Sequence, residues 1–116
     1  MTAIAFALPL LPGMTDLDRE VMTACWRGER KAAYEDSRRR AGITRESTWI
    51  QATPGADVAV VFLEADDLAA AFQTIAASQE PFDAWFRAHV REVHGVDLAE
   101  GFAPPEVVLD FNASDI

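Results

Sequence analysis

The sequence predicts an α+β domain built as a four-stranded antiparallel sheet with its helices on one face. Three observations predict it. Short apolar or β-rich runs alternate with stretches of helical periodicity in the order β-α-β-β-α-(α)-β. Two of those runs flank Thr53-Pro54-Gly55-Ala56, a hairpin turn signal. The second strand of that hairpin, residues 57–64, is apolar on both faces and so needs cover on both sides.

The elements follow in chain order. Residues 3–10, AIAFALPL, fit a buried strand that ends at Pro12-Gly13. Thr15 or Asp16 then caps one long helix running to about Ala41. Its inward stripe is Leu17, Val21, Ala24, Cys25, Gly28 and Ala32, and Gly42 is the stop. On the next strand, 46–53, Trp49, Gln51 and Thr53 share one face while Thr48, Ile50 and Ala52 share the other. On 57–64, Ala59, Val61 and Leu63 oppose Val58, Val60, Phe62 and Glu64. Asp66 and Asp67 begin a second helix carrying Leu68, Ala71, Phe72 and Ile75, and a further helix spans Pro81 to His94 before Gly95. Pro104-Pro105 breaks the chain ahead of a last strand, EVVLDF, at 106–111.

That order is the split β-α-β, ferredoxin-like arrangement. Its second sheet face has no cover within one chain. Two such sheets packed face to face, about 10 Å apart, would bury it, so the expected assembly is a symmetric homodimer formed through the open sheet face. An exposed apolar face of that size is otherwise an aggregation hazard.

Length and composition bound the rest. At 116 residues the chain is expected to be one domain, 1–116, of ordinary globular composition. A single cysteine, Cys25, excludes an internal disulfide and a cysteine-based zinc cage, and suits a cytoplasmic location. The N-terminal run MTAIAFALPLLPGM lacks a basic flank and carries two prolines. It is also shorter than the roughly 20 apolar residues of a membrane span, so no membrane association is expected.

The net charge of −9 is unevenly spread. Seven of the ten basic residues lie between Arg27 and Arg45, whereas from Glu46 onward thirteen acids face two bases. Such a chain is a poor polyanion binder, and no nucleic acid is expected as a partner. The run RRRAGITR (38–45) reads as a solvated helix end, with Glu35 and Asp36 four residues before Arg39 and Arg40 and the arginines complementing the helix dipole. A phosphate contact is the other reading of that run.

Candidate chemistry centres on the helix at 81–94, where Phe82, Phe86, Val90 and Val93 form an apolar stripe flanked by Trp85 and His89. One turn separates Trp85 from His89, so their rings can meet. His89 is a candidate general base, and the alternative is a packed, hydrogen-bonded imidazole. His94 lies about 140° around the helix from His89, which excludes chelation of one metal by the pair. It suits an interaction with terminal carbonyls instead. Glu64 closes an apolar strand and is a second candidate base, or else an ion-pair or capping residue. Trp49 and Gln51, with Tyr34 from the long helix and Trp85, are candidate walls of a small-molecule pocket; plain core packing is the alternative. The chain has no G-x-S-x-G, P-loop or G-x-G-x-x-G motif, so no cofactor is suggested.

Three segments carry a resemblance: ERKAAYEDSRRRAGITRESTWIQ (29–51), VAVVFLEADD (58–67) and PFDAWFRAHVREVHGVDL (81–98). Together they resemble the dimeric α/β-barrel superfamily, and most closely a group of small, functionally uncharacterised bacterial proteins within or near it. The resemblance implies paired ferredoxin-like sheets. Members of the superfamily include cofactor-free monooxygenases, small isomerases, haem-degrading enzymes and proteins with no known reaction, so fold alone selects no activity. Two expectations remain. One is a cofactor-independent enzyme of oxygenase, isomerase or cyclase type acting on a small apolar molecule. The other is a non-catalytic homodimer that binds a ligand or a protein.

Overall fold

Proline, glycine and a capping aspartate set most element boundaries in the computed structural model, which describes residues 2–101 and 103–115. Strand β1 (Ala3–Pro9) leads through Pro12-Gly13 into helix α1 (Thr15–Arg27). Helix α2 (Lys31–Ala41) ends at Gly42, whose φ of 76° is a left-handed conformation that glycine adopts without a Cβ penalty. Strands β2 (Ile43–Ala52) and β3 (Asp57–Ala65) are joined by a short turn in which the Thr53 N–H donates to the Ala56 carbonyl at 3.2 Å. Asp67 caps helix α3 (Leu68–Ala77) by accepting from the Ala70 N–H at 3.0 Å. Helix α4 (Pro81–His94) has proline in its first turn, where a missing N–H costs nothing, and Gly95 at φ 72° beyond its end. Single 3-10 turns follow at Leu98–Glu100 and Ala113–Asp115.

The sheet has three antiparallel strands in the order β1-β3-β2. Its register sorts the side chains into two layers. Ile4–Leu63–Glu46 and Phe6–Val61–Thr48 are rows on the inner face, and Ala5–Phe62–Ser47 and Ala7–Val60–Trp49 are rows on the outer face. All four helices stand over the inner face, where Ala41, Ala65, Ala71 and Ile75 form a buried cluster flanked by Ile43, Leu68 and Leu98. At the other end of β1, the Leu11 N–H donates to the Val93 carbonyl at 2.8 Å and ties the strand to α4. No helix among the described residues is long and apolar enough to cross a membrane.

Two expectations from the sequence are corrected. The single helix expected over 15–41 is broken at Gly28, which adopts an extended backbone (φ −131°, ψ −154°). Glycine weakens a helix interior by about 1 kcal/mol relative to alanine. At this position a Cβ would also lie only 2.8 Å from Ala24 Cα. The expected fourth strand, 106–111, is not in the sheet: Val107, Val108, Leu109 and Phe111 are exposed, and the segment has no regular structure. Strand propensity reflects fit to a pleated neighbour, and no neighbouring strand lies beside this segment among the described residues.

Gly28→Ala should therefore destabilise the protein by about 1–3 kcal/mol, the usual range for overpacking. The check is a urea melt; an unchanged midpoint would mean that the α1–α2 corner yields freely.

Candidate functional site

Small side chains on the central strand leave room beneath the helices. A cavity of about 400 Å³ lies between the inner sheet face and the helical layer. Ile4, Phe6, Leu8, Ala59, Val61 and Leu63 supply its apolar floor, and Phe72, Ile75, Phe86 and Val90 its roof. Six ionisable side chains also border it: Asp18 (α1), Arg38 (α2), Glu46 (β2), His89 and His94 (α4), and Glu100 in the turn Leu98–Glu100.

His89 and Asp18 form a buried pair, with Nε2 2.8 Å from Asp18 Oδ1. The two residues are 6% and 2% exposed, so bulk water does not weaken the contact. A carboxylate accepts, so Nε2 carries the hydrogen and, in the neutral ring, Nδ1 carries the lone pair. Among the described residues Nδ1 meets no hydrogen-bond partner. Every sealed side-chain nitrogen or oxygen there does have one, so Nδ1 is not fully sealed. The Trp85 ring stacks on the imidazole, centroids 5.9 Å apart and planes 16° apart, and fixes its tilt from the side. This is the arrangement of an oriented base: a carboxylate sets the tautomer, an aromatic sets the plane, and one nitrogen stays unpaired.

A second polar unit stands at the same wall. Arg38 Nε donates to Glu46 Oε1 at 2.7 Å, and the Tyr34 hydroxyl donates to the same oxygen at 2.5 Å. The Arg38 guanidinium also lies over the Phe86 and Tyr34 rings, 4.5 and 4.7 Å from their centroids. Burial disfavours the charge on Arg38, but Glu46 more than offsets this and holds its proton more tightly than usual. Burial, reinforced by the Glu46 carboxylate, pushes the Tyr34 phenol up. Burial likewise raises the Cys25 thiol, which keeps it unreactive.

Behind Arg38 the network continues to the head of α4. Arg38 Nη1 donates to Ser37 Oγ at 3.1 Å, and the Ser37 hydroxyl donates to Asp83. Ser78 Oγ and Arg40 Nη1 reach the other Asp83 oxygen at 2.5 and 2.8 Å. Burial alone would raise Asp83, but the Ser37 and Ser78 hydroxyls and the Arg40 guanidinium together hold it below the usual carboxylate value.

The residues singled out from the sequence are distributed over three places. His89 borders the cavity, and it also borders a shallower groove between α1 and α4 that contains Trp85 and Arg30. Tyr34 does not border the cavity itself and meets its wall through Glu46 and Arg38. Trp49 and Gln51 lie on the outer sheet face, with Trp49 56% exposed, away from the cavity. Glu64 is on that outer face too, opposite Arg45 in the register, so the sheet separates it from His89. His94 borders the cavity and places Nδ1 2.8 Å from the Pro9 carbonyl, a strand carbonyl instead of the end of its own helix. The basic run is split. Arg38 is buried, Arg40 pairs with Asp36 and Asp83, and Arg45 covers the Phe62 ring on the outer face.

Sequence reasoning missed Asp18, Arg38 and Glu46. Asp18, Met22 and Cys25 share one face of α1 at spacings of four and three, so Asp18 is the acid on a buried stripe. Tyr34, Ser37, Arg38 and Ala41 repeat that pattern on α2, and Glu46 alternates in phase with Thr48. Among the described residues no group of three or more His, Cys, Asp or Glu side chains could hold a metal ion.

The depressed Asp83 gives a signed pH dependence. Its contribution to stability is complete above the unfolded carboxylate value of about 3.9 and is lost as pH falls through the lower folded value. Urea midpoints should fall between about pH 4 and the onset of acid unfolding, and Asp83→Asn should flatten part of that fall. An equally steep fall in the variant would assign the acid sensitivity to other groups.

No family model, curated protein or solved structure matches the chain.

Proposed function

We propose that this chain is a homodimer whose cavity performs cofactor-independent proton transfer on a small, largely apolar organic molecule, with His89 as the base. The observation that carries this reading is the Nε2–Asp18 hydrogen bond of 2.8 Å at the wall of a cavity of about 400 Å³, with Nδ1 left unpaired. A volume of that order suits a small ligand, and the apolar floor with a few convergent polar groups is the usual form of a small-molecule site. Nδ1 takes an acidic proton from carbon or oxygen of the substrate. Asp18 balances the imidazolium that forms, and the same proton returns to a second atom of the substrate, so the net change is an isomerisation or ring closure. The Arg38 guanidinium at the same wall stabilises the negative charge that develops when the proton leaves.

The strand order β1-β3-β2 supports placing the chain beside the dimeric α/β-barrel proteins, since it is the ferredoxin-like order without the fourth strand. The outer face supports the dimer: Ala5, Ala7, Val60, Phe62 and Trp49 form adjoining rows with no helix over them among the described residues. One observation favours a second reading, a binding protein without turnover. Two charged pairs at the cavity wall are already satisfied, Asp18 with His89 and Arg38 with Glu46, which is also how a rigid ligand cage is built.

One prediction separates these readings, and a second tests the assembly. In deuterated water the protein should exchange the acidic C–H of at least one member of a panel of small apolar 1,3-dicarbonyl compounds, followed by NMR. His89→Ala should lower that exchange by about 10²–10⁴-fold with the fold intact. Equal exchange by the variant removes His89 from the mechanism, and no exchange by the wild type across the panel leaves the binding reading. For the assembly, Trp49→Asp should give a monomer mass in native mass spectrometry where the wild type gives a dimer; a dimer that survives the substitution sinks the sheet-face pairing.

A further inference from the structure

We infer that residues 106–111 form a strand that adds to the outer edge of β1 in a second copy of the chain, so that the two copies exchange C-terminal strands. This rests on the homodimer proposed above.

The first support is an edge with unused hydrogen-bonding groups. In the β1–β3 ladder the Thr2 carbonyl and the Leu10 N–H point toward β3, accepting from Ala65 and donating to Asp57 at 2.8 Å each. A strand alternates the direction of its backbone groups, so Ala3, Ala5 and Ala7 turn theirs to the free side. Among the described residues the hydrogen bonds on that side are confined to one end, where His94 meets the Pro9 carbonyl and the Leu11 N–H donates to the Val93 carbonyl. The opposite edge of the sheet is different. Strand β2 carries Thr44, Arg45, Glu46 and Gln51 and has a register irregularity between Ile43 and Arg45, all features that discourage further pairing. Residues 3–10 carry no charge at all. An uncharged edge of this kind requires cover.

The second support is a segment that matches it. EVVLDF alternates, with Val107, Leu109 and Phe111 on one side and Glu106, Val108 and Asp110 on the other, and it is rich in strand-favouring residues. Val107, Val108, Leu109 and Phe111 are 61%, 86%, 86% and 71% exposed, a concentration of apolar surface left bare among the described residues. Its six residues suit the seven of β1.

The third support decides between its own edge and a partner's. Pro104-Pro105 immediately precedes the segment and fixes φ at two successive residues, while each proline also drives the residue before it to extended backbone. The chain therefore leaves the cavity rim, which Gly101 and Pro104 border, as a stiff extended strut and does not turn back within those residues. A second copy whose outer face is packed against this one presents its β1 edge along the same interface, so exchange extends that interface without a new one.

The test is a chain ending at Pro105, compared with the full chain by native mass spectrometry over a dilution series. Loss of two or more buried large apolar side chains per copy should raise the dimer dissociation constant by at least about a hundredfold. A full chain that is dimeric and a shortened chain that dimerises equally well overturn the exchange but leave the sheet-face dimer standing. A full chain that is monomeric overturns both. A second measurement fixes where the strand goes. In a Cys25→Ala background, Ala5→Cys is combined in turn with Val107→Cys, Val108→Cys and Leu109→Cys and oxidised. At least one pair should give a covalent dimer on a non-reducing denaturing gel. A bond formed only within single chains, or in no pair, overturns the exchange.

Discussion

Strand β3 is apolar on both faces, and most of the architecture follows from having to cover it twice. It is the central strand, so neither edge is available to water, and its side chains alternate between two layers that are both short of polar atoms. The chain solves one layer with four helices. It does so loosely, because Ala59 stands in the central row where a larger residue would fill the space beneath α3 and α4. Protein interiors normally close such volumes, since empty space costs stability in proportion to its size. Here a volume of about 400 Å³ stays open, with Asp18, Arg38, Glu46, His89, His94 and Glu100 at its wall.

The polar groups at that wall also determine how the helices sit. Taking Arg38 and Glu46 out of water is costly, and a well-packed apolar pair is often as stable, so their contribution is to position more than to stabilise. Arg38 joins α2 to β2 through Glu46 and to the α4 head through Ser37 and Asp83. Asp83 in turn gathers Ser78 and Arg40, so the α3–α4 corner is pinned to α2 by a carboxylate with three donors around it. This fixes the phase of α4, and the phase of α4 is what aims His89 at Asp18 across the layer. The His89–Asp18 pair and the Arg38–Glu46 pair are thus two ends of one connected frame.

Local chemistry was legible in the sequence wherever one residue sets one boundary. Pro81 and Gly95 delimit α4 as expected, Asp67 caps α3, the Thr53–Ala56 turn closes the hairpin, and Trp85 meets His89 one turn on. What was illegible depended on choices that alternation alone leaves open. Strand periodicity says that Trp49 and Gln51 share a face, but only the position of the helices says that this face is the outer one. Reading α1 and α2 as a single helix carried one phase through Gly28; the break resets it, which turns Arg38 from an expected solvent-facing residue into a buried one. Asp18 escaped notice because an acid in a first helical turn is ordinarily read as a dipole or capping residue. Segment 106–111 has strand composition, but a strand exists only beside another strand, and composition does not say whose.

The sheet itself keeps assembly and chemistry apart. Along β2, Thr48 borders the cavity while its neighbour Trp49 stands on the bare outer face, and along β3 Val61 and Val60 divide in the same way. Consecutive residues therefore serve different surfaces, and a side chain on one surface can change without filling or opening the other. The exception is β1. Its inner residues Ile4, Phe6 and Leu8 floor the cavity, its outer residues Ala5 and Ala7 belong to the uncovered face, and its free backbone groups form the open edge. Its edge, unlike that of β2, carries no charge, and its inner side chains form part of the cavity floor. The short contact from His94 to the Pro9 carbonyl ties the end of that strand back to α4, the helix that carries the base, and so limits how far the floor can move.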